Sequence, residues 1–122
     1  MWQLVRATGV LEPNSAYAYA LLCRDFSETC LVAEVKEDGI EGDGIVAFVT
    51  AYRPPARPEA VFVWQIGVHP RAQGRGLGRR LLLELLRRPA AADATHLEAT
   101  VGVSNTASAR LFQSVARELG AP

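Results

Sequence analysis

One stretch limits the folds open to this chain more than any other: AVFVWQIGVHPRAQGRGLGRRLLLELLRR, from Ala60 to Arg88. Ala60 to Val68 is almost wholly β-branched, aromatic or aliphatic, without polar alternation, which predicts a strand covered on both faces. Pro70 to Gly78 then turns to Gly, Arg and Gln, with glycines at alternate positions 74, 76 and 78. From Leu77 onward Leu81, Leu82, Leu85 and Leu86 recur at helical spacing among Arg79, Arg80, Arg87 and Arg88, until Pro89 stops the helix.

A strand, a glycine turn and a helix in that order make an anion site. The first amides of a helix have no internal partner and the macrodipole makes that end slightly positive. Glycines let the backbone approach phosphate oxygens closely, and Arg75, Arg79 and Arg80 place charge nearby. Neither of the two commonest phosphate loops is present: the P-loop needs Lys followed by Ser or Thr, and the dinucleotide fingerprint needs a G-x-G-x-x-G spacing. The competing reading is an ordinary turn before a solvated helix.

What stands there is Gln73-Gly74-Arg75-Gly76-Leu77-Gly78, and it resembles the Q/R-x-x-G-x-G/A pyrophosphate loop of the GNAT acyltransferases. Val68-His69-Pro70 resembles the way these enzymes enter that loop. Three further stretches narrow the resemblance: PNSAYAYALLCRDFSETCLVAE, VAFVTAYRPPARPEAVFVWQIGVHPRAQGRGLGRRLL, and HLEATV with SNTASARLF. Together, from Trp2 to about Leu119, they are similar to the diaminobutyrate acetyltransferase branch, which acetylates a γ-amine on the route to ectoine.

Composition is that of an ordinary soluble globular protein. The 122 residues suit one domain, 49% are hydrophobic and the formal charge is +0, which speaks against a non-specific nucleic-acid binder. Only Arg71 to Arg88 is locally basic, which favours a compact anionic ligand. No apolar run has membrane-spanning length and Met1 to Glu12 lacks a signal-peptide pattern, so the cytoplasm is expected. Cys23 and Cys30 lack metal-ligand spacing with His69 or His96 and are expected as reduced, mostly buried thiols.

Along the chain, Trp2 to Ala7 reads as a helix closed by Gly9. Leu11 to Phe26 reads as a second, capped by Asn14 or Ser15 and mostly enclosed, with Tyr17, Leu21, Leu22 and Phe26 dominant. Cys30 to Val35 and Ile45 to Tyr52 read as antiparallel strands joined by a solvated acidic tip, Lys36 to Gly44. After the linker Ala90 to Thr95, His96 to Val103 is the next strand. Ser104 or Asn105 then caps a last helix with Ala107, Leu111, Phe112, Val115, Ala116 and Leu119 on its apolar face and Gly120 as terminator.

The resemblance implies the GNAT fold, an α/β (α+β) arrangement with a mixed, mostly antiparallel sheet flanked by helices. It implies too that the family's first strand and last two strands are lacking, so that residues 1–122 are one domain shortened at both ends. Acetyl-CoA is the implied co-substrate, with no metal. Its pantetheine would lie along Ile66 and Val68, its pyrophosphate on Gln73, Gly74, Arg75, Gly76, Leu77, Gly78 and Arg79, with Gly67 at the strand splay and Asn105 by the pantetheine arm. For L-2,4-diaminobutyrate the implied contacts are Glu12, Tyr17, Trp64 and Thr100. Trp64 would offer its face to an ammonium, and Glu98 is a candidate proton acceptor.

Many GNAT enzymes place a Tyr in the last helix to protonate the departing thiolate, and Phe112 here cannot donate. A homodimer is implied by the family, with neither nucleic acid nor membrane as partner. Two other readings stay open: acetylation of another small amine, and a coenzyme-binding module impaired by absent terminal strands.

Overall fold

The computed structural model describes residues 1, 3–5, 16–34, 44–101 and 105–121. Within them a four-stranded sheet has the order β1-β2-β3-β4, with β1 Cys30–Glu34, β2 Ile45–Tyr52, β3 Ala60–Val68 and β4 His96–Ala99. The first three strands are antiparallel neighbours and β4 runs parallel to β3. Three helices accompany them: α1 Ala16–Asp25, α2 Leu77–Arg87 and α3 Thr106–Leu119. Residues 3–5 form a helical turn closed by Val5 N–H to the Met1 carbonyl, 2.9 Å.

Apolar residues on both faces of the central strands dictate a three-layer packing. On one face Ala47, Val49, Ala51, Val61 and Val63 meet Leu81, Leu82 and Leu85 of α2 and Val115 of α3. On the other, Phe48 and Trp64 meet Leu4, Val5 and Tyr19. The strand expected at Ala60 to Val68 therefore has those bounds and is covered on both sides.

Three expectations need correction. The Leu11 to Phe26 helix was expected to be mostly enclosed, yet within α1 only Tyr19 is buried, while Tyr17 is 77% exposed and Leu21 and Phe26 are exposed too. So many apolar residues crowd this segment that composition does not select a face, and one stripe alone reaches the sheet. Cys23, expected buried, is exposed on the same helix. Cys30 is partly covered, and burial pushes its thiol pKa up. The strand expected to run from His96 to Val103 ends at Ala99, because β3 and β4 stop pairing there. The expected caps before α1, the Gly9 terminator, most of the acidic tip and residues 102–104 lie outside the described residues.

Candidate active site

The site begins with an irregularity in β3. Its register with β2 passes from Thr50–Gln65 to Ala51–Val63, which leaves Trp64 as an extra residue, a β-bulge. Strict alternation would send Trp64 and Gln65 to opposite faces. With the bulge both turn toward α1: the Tyr19 and Trp64 ring centroids are 5.7 Å apart, and Tyr19 Oη–H donates to Gln65 Oε1 at 2.8 Å. Val63 and Ile66, on either side, pack on the α2 face.

On its other edge, β3 pairs with β4 only from Ala60–His96 to Val63–Ala99. Beyond the bulge the two strands part, and the backbone from Trp64 to Val68 borders the gap. A strand edge in that state can accept an extended ligand as if it were another strand.

Past Val68 the chain tightens. His69 Nδ1 accepts the Arg71 N–H at 3.1 Å and the His69 carbonyl accepts the Ala72 N–H at 2.8 Å, which forms the short turn Pro70–Ala72. Gly74 and Gly76 follow at φ +83° and +73°, a left-handed backbone that L side chains rarely adopt. Gly76 is also the residue before α2, where Ser, Thr, Asp or Asn usually caps the first amides with a side-chain oxygen. Having none, it leaves the first-turn amides to an external acceptor, while its own carbonyl starts the helix by accepting Arg80 N–H at 3.0 Å.

Gly78 has another purpose. It lies inside α2, and a Cβ there would stand 3.1 Å from Leu111 Cδ2, so this glycine lets α2 and α3 approach each other.

A cavity of about 350 Å³ fills the space between the end of β3, the turn and the start of α3. Of the residues expected around a coenzyme, Ile66, Val68, Gln73, Gly74, Gly76, Leu77, Gly78, Arg79 and Asn105 line it, as does Gly67. Arg75 is not in that wall, and Arg79 forms an ion pair with Glu118 of α3. Gln73 Nε2 donates to the Val68 carbonyl at 3.4 Å. Asn105 Oδ1 accepts the Ser108 N–H at 3.2 Å and so caps α3. A second cavity of about 50 Å³ sits in the splay and is lined by Trp64, Gln65, Thr100 and Phe112 among others, sharing Ile66, Asn105 and Ser108 with the first.

The acceptor-side candidates fare unevenly. Trp64 and Thr100 stand together on the wall of the second cavity. Tyr17 lies on the exposed side of α1, and Glu12 lies outside the described residues. Glu98 is level with Phe62 on β4, where Arg57 Nε reaches both its oxygens at 2.8 and 3.0 Å, and it lines neither cavity. The expectation that it accepts a proton in the site therefore loses its geometry.

Tyr19 and Gln65 went unremarked in the sequence. Gln65 was visible as the one amide in an apolar strand, and Tyr19 as the tyrosine in helical phase with Leu22. The bulge that joins them has no short-range signal.

The acetyltransferase (GNAT) family model matches residues 2–116. The chain belongs to that family. Within it, the chain groups with the L-2,4-diaminobutyric acid acetyltransferases. It is 44% identical to the one from Shouchella clausii over 96% of this chain and 62% of that protein. To the one from Virgibacillus pantothenticus it is 39% identical, over 98% of this chain and 71% of that one. Its fold matches diaminobutyrate acetyltransferase EctA from Paenibacillus lautus, solved with its substrate L-2,4-diaminobutyric acid and coenzyme A. The TM-score is 0.91 at 40% identity, covering 99% of this chain and 69% of that one. The chain spans about three fifths of the length of the first curated relatives it matches. The expected GNAT fold, with a mixed sheet flanked by helices, is the one found.

Proposed function

We propose that this chain transfers the acetyl group of acetyl-CoA to the γ-amine of L-2,4-diaminobutyrate, giving N4-acetyl-L-2,4-diaminobutyrate for ectoine synthesis. The observation that carries this reading is a pair of adjoining cavities, one at the uncapped start of α2 and one in the splay beside Trp64, that share Ile66, Asn105 and Ser108. A diphosphate needs the first end, a thioester the second, and the distance between is backbone edge of the kind a pantetheine amide can pair with. The same fold in the Paenibacillus lautus protein holds that substrate and coenzyme A.

In this reading the amides from Gly74 to Arg79 hold the diphosphate, with Arg75 and Gln73 at its rim. Ile66 and Val68 pair with the pantetheine, which displaces the weak Gln73 contact to the Val68 carbonyl. Asn105 supports the arm. Trp64 and Thr100 receive the acceptor from the other side of the splay, whereas Tyr17 and Glu12 are carried by family resemblance alone.

The acceptor amine is protonated near neutrality, at about the pKa of a lysine-like group, roughly 10, and must lose a proton before attack. Among the described residues no carboxylate or imidazole lines either cavity. Withdrawal from bulk water into the narrow second cavity disfavours the charged amine and lowers its pKa, against the pull of the Trp64 ring, and water takes the proton. The reading also holds residues 1–122 to be a single domain acting in the cytoplasm, where acetyl-CoA is available, as a homodimer. Among the described residues no helix is long and apolar enough to cross a membrane.

Calorimetry of acetyl-CoA binding, followed by thiol release with diaminobutyrate and a panel of other amines, tests it. Saturable binding with release for diaminobutyrate, and N4-acetyl product by mass spectrometry, supports the proposal. Binding without release from any amine identifies a coenzyme-binding module, and release only with a different amine corrects the substrate.

A further inference from the structure

The reaction produces a leaving group that the residues assigned so far do not serve. When the amine nitrogen bonds to the thioester carbon and the C–S bond breaks, the electron pair stays on sulfur. Negative charge then builds where the pantetheine ends, at the meeting of the two cavities. Their shared wall is Ile66, Asn105 and Ser108. The Ile66 side chain has no donor, and that of Phe112, the aromatic residue one turn further along α3, has none either. Asn105 Oδ1 accepts the cap bond, and the Nδ2 amide is the group that the proposed function gives to the pantetheine arm.

Ser108 is differently placed. Its backbone N–H makes the cap bond, and among the described residues its hydroxyl has no hydrogen-bond partner. It is half-buried in the first turn of α3, the electropositive end of that helix. A hydroxyl rotates freely about its C–O bond, so its hydrogen can follow charge as it develops.

We propose that the Ser108 hydroxyl donates a hydrogen bond to the departing coenzyme A thiolate, helped by the N-terminal end of α3, and is the leaving-group donor of this enzyme. The serine keeps its proton. The nitrogen gives up its own to water as the amide forms, and the thiolate is protonated from water after departure, so the products are the N-acetyl amine and coenzyme A thiol. Helix N-termini acidify protein thiols by the same electrostatics. This inference rests on the coenzyme-binding part of the function proposed above, and not on the choice of acceptor.

The test therefore has one arm that needs no acceptor. The thiol of coenzyme A bound to the protein is titrated through the ultraviolet absorbance of the thiolate, in the unaltered chain and in Ser108→Ala. Because the cap uses the backbone N–H, Ser108→Ala leaves the helix start intact. The bound thiol should be about tenfold more acidic in the unaltered chain than in the variant, with coenzyme A affinity within about twofold. In the second arm, kcat for thiol release should fall by roughly 10- to 100-fold in Ser108→Ala, and Ser108→Thr should keep most of the rate.

Equal thiol acidity in the two proteins overturns the proposal. So does an equal loss of kcat in the Ala and Thr variants, or a loss confined to coenzyme affinity. A thiol effect together with no turnover of diaminobutyrate upholds this donor and sinks only the substrate assignment.

Discussion

The two sides of the splay are built by different means. On the side proposed for the coenzyme the groups are backbone: amides freed by Gly74 and Gly76, the edge of β3, and a helix start without a side-chain cap. On the side proposed for the acceptor they are side chains turned by tertiary structure: Trp64 and Gln65 brought to one face by a bulge, and Tyr19 pinned over both. A backbone site is dictated locally by residues that permit rare conformations. A side-chain site depends on register and packing set elsewhere. Mutations on the two sides should therefore separate cleanly.

The largest effect is expected at Gly76→Val. Nothing lies within 4 Å of a Cβ there, so all of the penalty comes from a β-branched residue at φ +73°. It should cost about 1–2 kcal/mol of stability and at least about tenfold in coenzyme affinity as the turn reopens. Unaltered calorimetric binding would erase the distinction between the two sides.

Tyr19→Phe comes next, on the opposite side. Tyr19 is 4% exposed and its hydroxyl satisfies Gln65 Oε1, so the variant should lose about 1–2 kcal/mol in chemical denaturation. Its coenzyme affinity should not change, while the KM for the acceptor should rise. Tyr17→Phe, on the exposed side of the same helix, is the control and should stay within about 0.5 kcal/mol in stability.

How far these two sides were legible in the sequence differs for the same reason. The bounds of β2 and β3, the start of α2 and the Gly120 terminator follow from local signals, and the structure places each of them where those signals point, while of the two caps offered for α3, Ser104 and Asn105, it uses Asn105. The cavity assembles nearly all the residues that the loop resemblance nominated. Glu98 misled because a carboxylate in a strand suggests a use inside the sheet. Its partner, Arg57, comes from a loop 41 residues away, a distance at which sequence spacing carries no signal. The burial of α1 misled because almost any face of so apolar a segment fits a core.

The third test sharpens the comparison within the glycine turn. Gly78→Ala should gain about 1 kcal/mol in helix propensity and lose a similar amount against Leu111 Cδ2 at 3.1 Å. The net change should fall within about 1 kcal/mol of zero, in contrast to Gly76→Val. A loss as large as that of Gly76→Val would mean that helix approach, not backbone conformation, governs the turn.

Glu98→Gln breaks a partly exposed pair with Arg57 and should cost no more than about 1 kcal/mol, with kcat within about twofold of the unaltered chain. A loss of a hundredfold would return Glu98 to the chemistry and move the acceptor site down the sheet.

The smallest effect belongs to Asp93, whose carboxyl is held below the usual carboxylate range by its hydrogen bond from Arg53. A lowered pKa contributes stability that is present above the unfolded value and fades as pH falls through the folded one. Asp93→Asn should thus change the thermal midpoint slightly at neutral pH and not at all at pH well below that range. A difference that grows in acid would have the wrong sign.

The most direct measurement is a crystal structure with coenzyme A bound. The diphosphate should rest on the amides between Gly74 and Arg79, with the pantetheine against Ile66 and Val68 and the sulfur between Trp64 and Ser108. Density for the coenzyme elsewhere, with those amides bound to protein or solvent alone, would contradict it.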